Sequence, residues 1–264
     1  MAVSARRVYA IVLRYLFGMQ HDLPRLMDIL YWPLIDLFVW GFFTVYLSQA
    51  RGPGYVGMSW LIGGIIFWTL LYRSSQDVAV QMLEDIWARN FLNLFASPLG
   101  LSEFVAALLI VAAFKVMLTF AVLAVLGYVF YAFNVFALGL HLLPFLLVLF
   151  VFGWAMGLVV AALIVRFGSR IQIFAWGAAF LIQPVSAIFY PVGSLPAPLQ
   201  AVARLNPVAY VFEGMRAVLL TGDFAVEQLL FAFVLTAVAL AFSVWLFAAY
   251  FDQARERGML ARLD

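Results

Sequence analysis

The residues best placed to do chemistry stand together in "LNPVAYVFEGMR", Leu205 to Arg216. This stretch sets Asn206, Pro207, Tyr210, Glu213 and Arg216 into an otherwise apolar segment. Glu213 and Arg216 are three apart and pair on one side of a helix. A charge pair among apolar residues is costly unless it is satisfied internally or faces a wet cavity. Three roles stay open for it: a lock that fixes the helix, a contact with a carried molecule, or a gate. Asp36 and Lys115 also fall inside apolar runs, where a structural ion pair and a transport role are the two readings. Asp36 pairs with Lys115 only if their helices are offset in depth, and Arg73 is its alternative partner. Enzyme chemistry is not supported. There is no H-E-x-x-H or G-x-S-x-G, and the two histidines, His21 and His141, do not converge on an acid–base group. With no cysteine, neither a disulfide nor a thiolate metal site is available, and no metal ligands are assigned.

The elements that position these residues are set by lipid. The 264 residues are 67% hydrophobic and only 11% charged, whereas soluble domains run at roughly 45–50% apolar. An all-α integral membrane protein follows. Six runs approach the roughly 20 residues that span a bilayer: Ile29–Leu47, Val56–Tyr72, Phe104–Phe130, Leu138–Val165, Ile171–Val192 and Leu229–Phe251. Six spans put both termini on one side. With termini inside, eleven arginines lie in the cytoplasm (Arg6, Arg7, Arg14, Arg25, Arg73, Arg89, Arg166, Arg170, Arg255, Arg257 and Arg262) against Arg51, Arg204 and Arg216 outside. The positive-inside rule therefore places the termini in the cytoplasm. The start of the chain is not read as a cleavable signal, because Arg14 interrupts its apolar run. A net charge of +2 without a basic stripe gives no reason to expect nucleic acid. Residues 1–264 read as one domain.

Three shorter segments stand out. Residues 1–27 place Arg7, Arg14, His21 and Arg25 on one stripe opposite Val8, Ile11, Val12, Tyr15, Leu16 and Met19. This predicts an interfacial helix whose arginines face anionic lipid. Residues 81–97, "QMLEDIWARNFLNLFAS", predict a second helix. Leu83, Ile86, Trp87, Phe91 and Leu94 line one side, and Gln81, Glu84, Asp85 and Arg89 the other. Interfacial anchoring and docking of a protein partner are equally supported by that spacing. Residues 196–222 predict a helix pair. Asn206 caps the second helix, Pro207 opens it and Gly222 ends it, and its 14 residues are too few to span. "GWAMG", Gly153 to Gly157, suits close helix packing, more within one subunit than between two.

Asn206-Pro207, Tyr210, Glu213 and Arg216 resemble the N-P-x-x-Y-x-x-E-x-x-R signature of the type-two ABC-exporter permeases, which move polysaccharides, lipids and drugs. The resemblance covers the whole chain. It implies six transmembrane helices with an N-terminal interfacial helix, a cytoplasmic coupling helix and a re-entrant outer helix pair, in a bacterial cytoplasmic membrane. It implies two permease copies working with two copies of a separate cytoplasmic ABC ATPase. Glu84, Asp85, Trp87, Arg89 and Phe91 would couple to that ATPase. Asn206, Pro207, Tyr210, Glu213 and Arg216 would form the outer gate. ATP and Mg belong to the partner: this chain has no G-x-x-x-x-G-K-[ST] loop, and its one lysine is Lys115. "PRLMDILYWPLIDLFVWG" resembles the drug and lipo-oligosaccharide branch, which favours an amphiphilic cargo. A secondary transporter driven by an ion gradient is the alternative. It would expect several intramembrane carboxylates and inverted repeats, whereas Asp36 is the one clear intramembrane carboxylate in the sequence.

Overall fold

A computed structural model describes residues 4–20, 22–51, 57–222 and 226–257. Among them there is no strand. Ten α-helices run in the order α1 (Ala5–Gln20), α2 (Leu23–Arg51), α3 (Gly57–Trp87), α4 (Phe91–Ala96), α5 (Leu101–Tyr131), α6 (Leu142–Phe167), α7 (Phe174–Ile182), α8 (Ala197–Ala203), α9 (Pro207–Thr221) and α10 (Val226–Glu256). Four stretches are long and apolar enough to cross a membrane: Arg25–Ala50, Leu101–Tyr131, Val135–Ile171 and Val226–Glu256. The protein is an all-helical membrane protein.

Helix α3 is the axis of the bundle, packed against α6 on one side and against α5 and α2 on others. Gly153 and Gly157 make the α3–α6 contact possible. A Cβ at Gly157 would stand 2.5 Å from the Ser75 carbonyl oxygen and 2.8 Å from Val78 Cβ. The small-residue motif therefore serves a packing within one chain, as its sequence suggested. Buried apolar side chains run along the whole bundle in adjoining clusters. Met82, Leu83, Phe91, Phe104 and Phe251 lie near α1, and Ile62, Phe67, Phe133, Phe212 and Met215 lie at the far end.

Two expectations change here. The run Ile171–Val192 is not one helix. Its α7 and the 3-10 turn Gln183–Val185 together end after 12 residues, about 18 Å of rise against a core of about 30 Å. Pro184 stands at the break, and Ala187 adopts a left-handed φ of 55°. Residues 81–97 are not one helix either. Helix α3 runs unbroken to Trp87, Arg89 turns the chain at φ 50°, and the short α4 follows.

Candidate functional site

The α1 end is built by charge pairs. Arg14 Nη2 donates to Asp85 Oδ1 at 2.8 Å, and the Tyr15 hydroxyl donates to Asp85 Oδ2. Burial, then the facing carboxylate, pushes the Tyr15 phenol far above its ordinary value. Arg7 Nη2 donates to Glu103 Oε1 at 2.7 Å and its Nη1 to the Pro98 carbonyl at 2.8 Å. Arg25 Nε stands 3.5 Å from Glu84 Oε1. The arginine stripe thus faces acids on α3 and α5, which corrects the expectation that it meets anionic lipid. Buried carboxylates attract it more strongly than a hydrated headgroup layer. His21, assigned to the same stripe, and Arg262 lie outside the described residues.

That bracing sorts the expected coupling residues. Gln81 and Asp85 are buried, not solvent-facing, and Phe91 is fully buried, in ring contact with Phe104 and Phe251. Glu84 is half-buried, while Trp87 and Arg89 are exposed. Trp87 stacks on Trp176 of α7, ring centroids 6.2 Å apart and planes 14° from parallel. Asn93, Ala96, Ser97 and Pro98 complete an exposed tip. Trp176 was not picked out from the sequence, because its run lacks charge and periodic contrast.

At the far end, the signature residues serve the broken backbone between α7 and α9. Asn206 Oδ1 accepts from the Val208 amide at 3.0 Å, the expected N-cap, and its Nδ2 donates to Ser186 Oγ at 2.9 Å. Gly222 closes the helix at φ 75°. The Tyr210 hydroxyl donates to the Arg204 carbonyl at 2.8 Å. Glu213 Oε1 accepts from the Val192 amide at 2.6 Å and lies 3.6 Å from Arg216 Nη2. Arg216 donates to the Ala187 carbonyl, and its guanidinium lies 5.1 Å from the centre of the Trp60 ring. Irregular backbone in apolar surroundings needs its polar groups satisfied by protein. Of the three roles open to the pair, the geometry supports the lock.

Midway along the bundle the charges divide. Arg73, almost fully buried, sits 3.1 Å from Asp28 and 3.5 Å from Asp77, and Lys115 lies 3.9 Å from the same Asp77. Asp77 is thus a buried carboxylate midway along the bundle, like Asp85 and Glu103 near α1; it is hidden in the sequence because "RSSQD" interrupts the apolar run. Asp36 joins neither Lys115 nor Arg73. Among the described residues no ion pair or side-chain hydrogen bond reaches it. It lines a cavity of about 370 Å³ between α2, α3 and the α7 segment, with Trp32, Trp40, Trp68, Tyr72 and Phe180 in its walls. A spacing of four, Trp32–Asp36–Trp40 and Trp68–Tyr72, is the signal that would have grouped these walls.

The comparison with known families falls on the same elements. The model of the ABC-2 type transporter family matches residues 8–220, from within α1 almost to the end of α9 and about four-fifths of the chain. The chain belongs to the ABC-2 type transporter family. No curated protein matches it. ABC-2 membrane proteins are transport components that work with an ABC ATPase and are not themselves catalytic. Both the braced tip and the α9 lock lie within the ABC-2 match, whereas α10 lies beyond it and packs along α6.

Proposed function

We propose that this ABC-2 protein is the transmembrane half of an ATP-driven exporter of an amphiphilic molecule: a lipid, glycolipid, oligo- or polysaccharide, or drug. Two copies pair with two copies of a cytoplasmic ABC ATPase, which supplies ATP and Mg. The chain crosses the bacterial inner membrane six times, α3 making the second crossing and α7 with the irregular backbone up to Val192 the fifth, with both termini in the cytoplasm and residues 196–222 re-entrant at the outer mouth. The exposed tip formed by Trp87, Arg89 and α4 carries this reading. It projects a large aromatic and a cation from a base held by the α1 ion pairs, and such a rigid, mixed surface suits a protein socket. Asp85 and Phe91 support the tip from beneath, and Glu84 lies at its edge.

A mild-detergent pull-down of the tagged chain from native membranes tests this. The expected result is co-purification of a G-x-x-x-x-G-K-[ST] ATPase at one to one, and its loss when Arg89 is reversed to Glu. Recovery of the chain without any ATPase would overturn the reading.

A further inference from the structure

The Asp36 carboxylate stands in an aromatic wall and makes no ion pair among the described residues, and we propose that this cavity binds an organic cation. Trp32, Asp36 and Trp40 follow one another at intervals of four, so they share one face of α2. Trp68 and Tyr72 oppose them from α3, and Phe180 closes the side. The nearby cations are engaged elsewhere: Arg73 on Asp28 and Asp77, and Lys115 beside Asp77. Asp36 is exposed, at the open side of the cavity; within an apolar span an unpaired carboxylate is nevertheless costly, and a cation held against it relieves that cost. Aromatic faces carry negative potential and attract the same charge.

The chemistry of the walls narrows the class. A hard metal ion needs several oxygen ligands. Among the described residues no three His, Cys, Asp or Glu side chains gather to hold one. A sugar could use the Gln183 amide, the Tyr72 hydroxyl and the indole N–H groups, while the Thr69 hydroxyl is donated to the Ile65 carbonyl; a neutral sugar would nevertheless leave the charge of Asp36 unmatched. A volume of about 370 Å³ falls within the usual range for small-molecule sites. An amine or quaternary group carrying apolar substituents meets both features, its charge at Asp36 and its substituents against the rings. That this cation is also the cargo rests on the exporter reading; that it binds does not.

The test uses the purified full chain and two probes of one shape and opposite charge, tetraphenylphosphonium and tetraphenylborate. Their binding is read by equilibrium dialysis and by tryptophan fluorescence. The cation should bind at least about tenfold more tightly than the anion. Asp36→Asn should remove that preference, and Trp32→Leu, at an exposed position, should weaken cation binding several-fold. Equal binding of the two ions overturns the proposal. So does a preference that survives Asp36→Asn, or, should that variant not fold, cation binding unchanged in Trp32→Leu. Cation preference in a chain that purifies without an ATPase would leave the binding site standing and remove the exporter reading. Absent preference in a chain that co-purifies with one would do the reverse.

Discussion

Arg216 reaches back 29 positions to the carbonyl of Ala187 and donates to it from both terminal nitrogens, at 2.7 and 3.2 Å. A left-handed residue in a broken helix presents a carbonyl that no neighbouring amide satisfies, and a guanidinium fork one helix away supplies what is missing. Glu213 completes the clamp by holding the Val192 amide on the other side of the turn.

The clamp predicts a graded series. Arg216→Ala should cost about 3 kcal/mol, since it removes charge-assisted hydrogen bonds from a buried site. Arg216→Lys should cost less but still register, because an ammonium cannot form the fork. Thermal unfolding in detergent measures both. Glu213→Ala should lower stability and transport more than Glu227→Ala, because Glu227 is exposed in the first turn of α10. Equal effects of the two glutamates would refute the clamp.

At the α3–α6 contact, Gly157→Val should destabilise by about 1–3 kcal/mol or more, since its Cβ would meet backbone that cannot move aside. Gly193→Ala should be close to neutral, as nothing lies within 4 Å of the position where its Cβ would stand. The comparison is read from melting temperatures of the two purified variants.

Asp85 and Arg89 should separate folding from coupling. Asp85→Arg places a cation beside Arg14 in a buried site, so loss of folded protein on gel filtration is expected. Arg89→Glu changes an exposed side chain and should leave the melting temperature within about 1 °C. Transport should nevertheless fall. Reversing Glu84 and Asp85 together is therefore a test of folding and not of docking.

Asn206→Ala should cost about 0.5–2 kcal/mol from the lost N-cap alone. A further loss is expected because Ser186 would forfeit its amide partner. Asn206→Asp keeps the capping oxygen but not the Nδ2 donor, so it should fall between wild type and alanine. Hydrogen exchange of the Val208 and Ala209 amides reports the cap directly.

Much of this was legible from one dimension. Asn206, Pro207 and Gly222 bound α9 because capping is local chemistry, readable from residue type. Gly153 and Gly157 announced a close contact because nothing else explains paired glycines in a buried helix. The destination of the arginines was not legible: periodicity tells which side chains share a face, but not which element lies opposite. The break after Ile182 was masked for a similar reason. Val185 to Val192 stays apolar enough to count as span, and only Pro184 and Pro191 hint at irregular backbone. Asp77 was hidden by its neighbours, since a polar quartet beside Arg73 reads as the end of a span. In space the quartet continues a helix whose polar groups face other helices.

The unbroken course of α3 has a mechanical consequence. At ~1.5 Å per residue its 31 residues form a rod of about 46 Å. Trp87 stands at one tip, and near the other Trp60 lies against Arg216. A stiff beam does not absorb a push; it passes it on. A tilt of about 10° pivoting at one tip displaces the other by about 8 Å, more than a full helical turn. A displacement imposed at Trp87 would therefore be carried along one continuous helix to the guanidinium that braces the far turn.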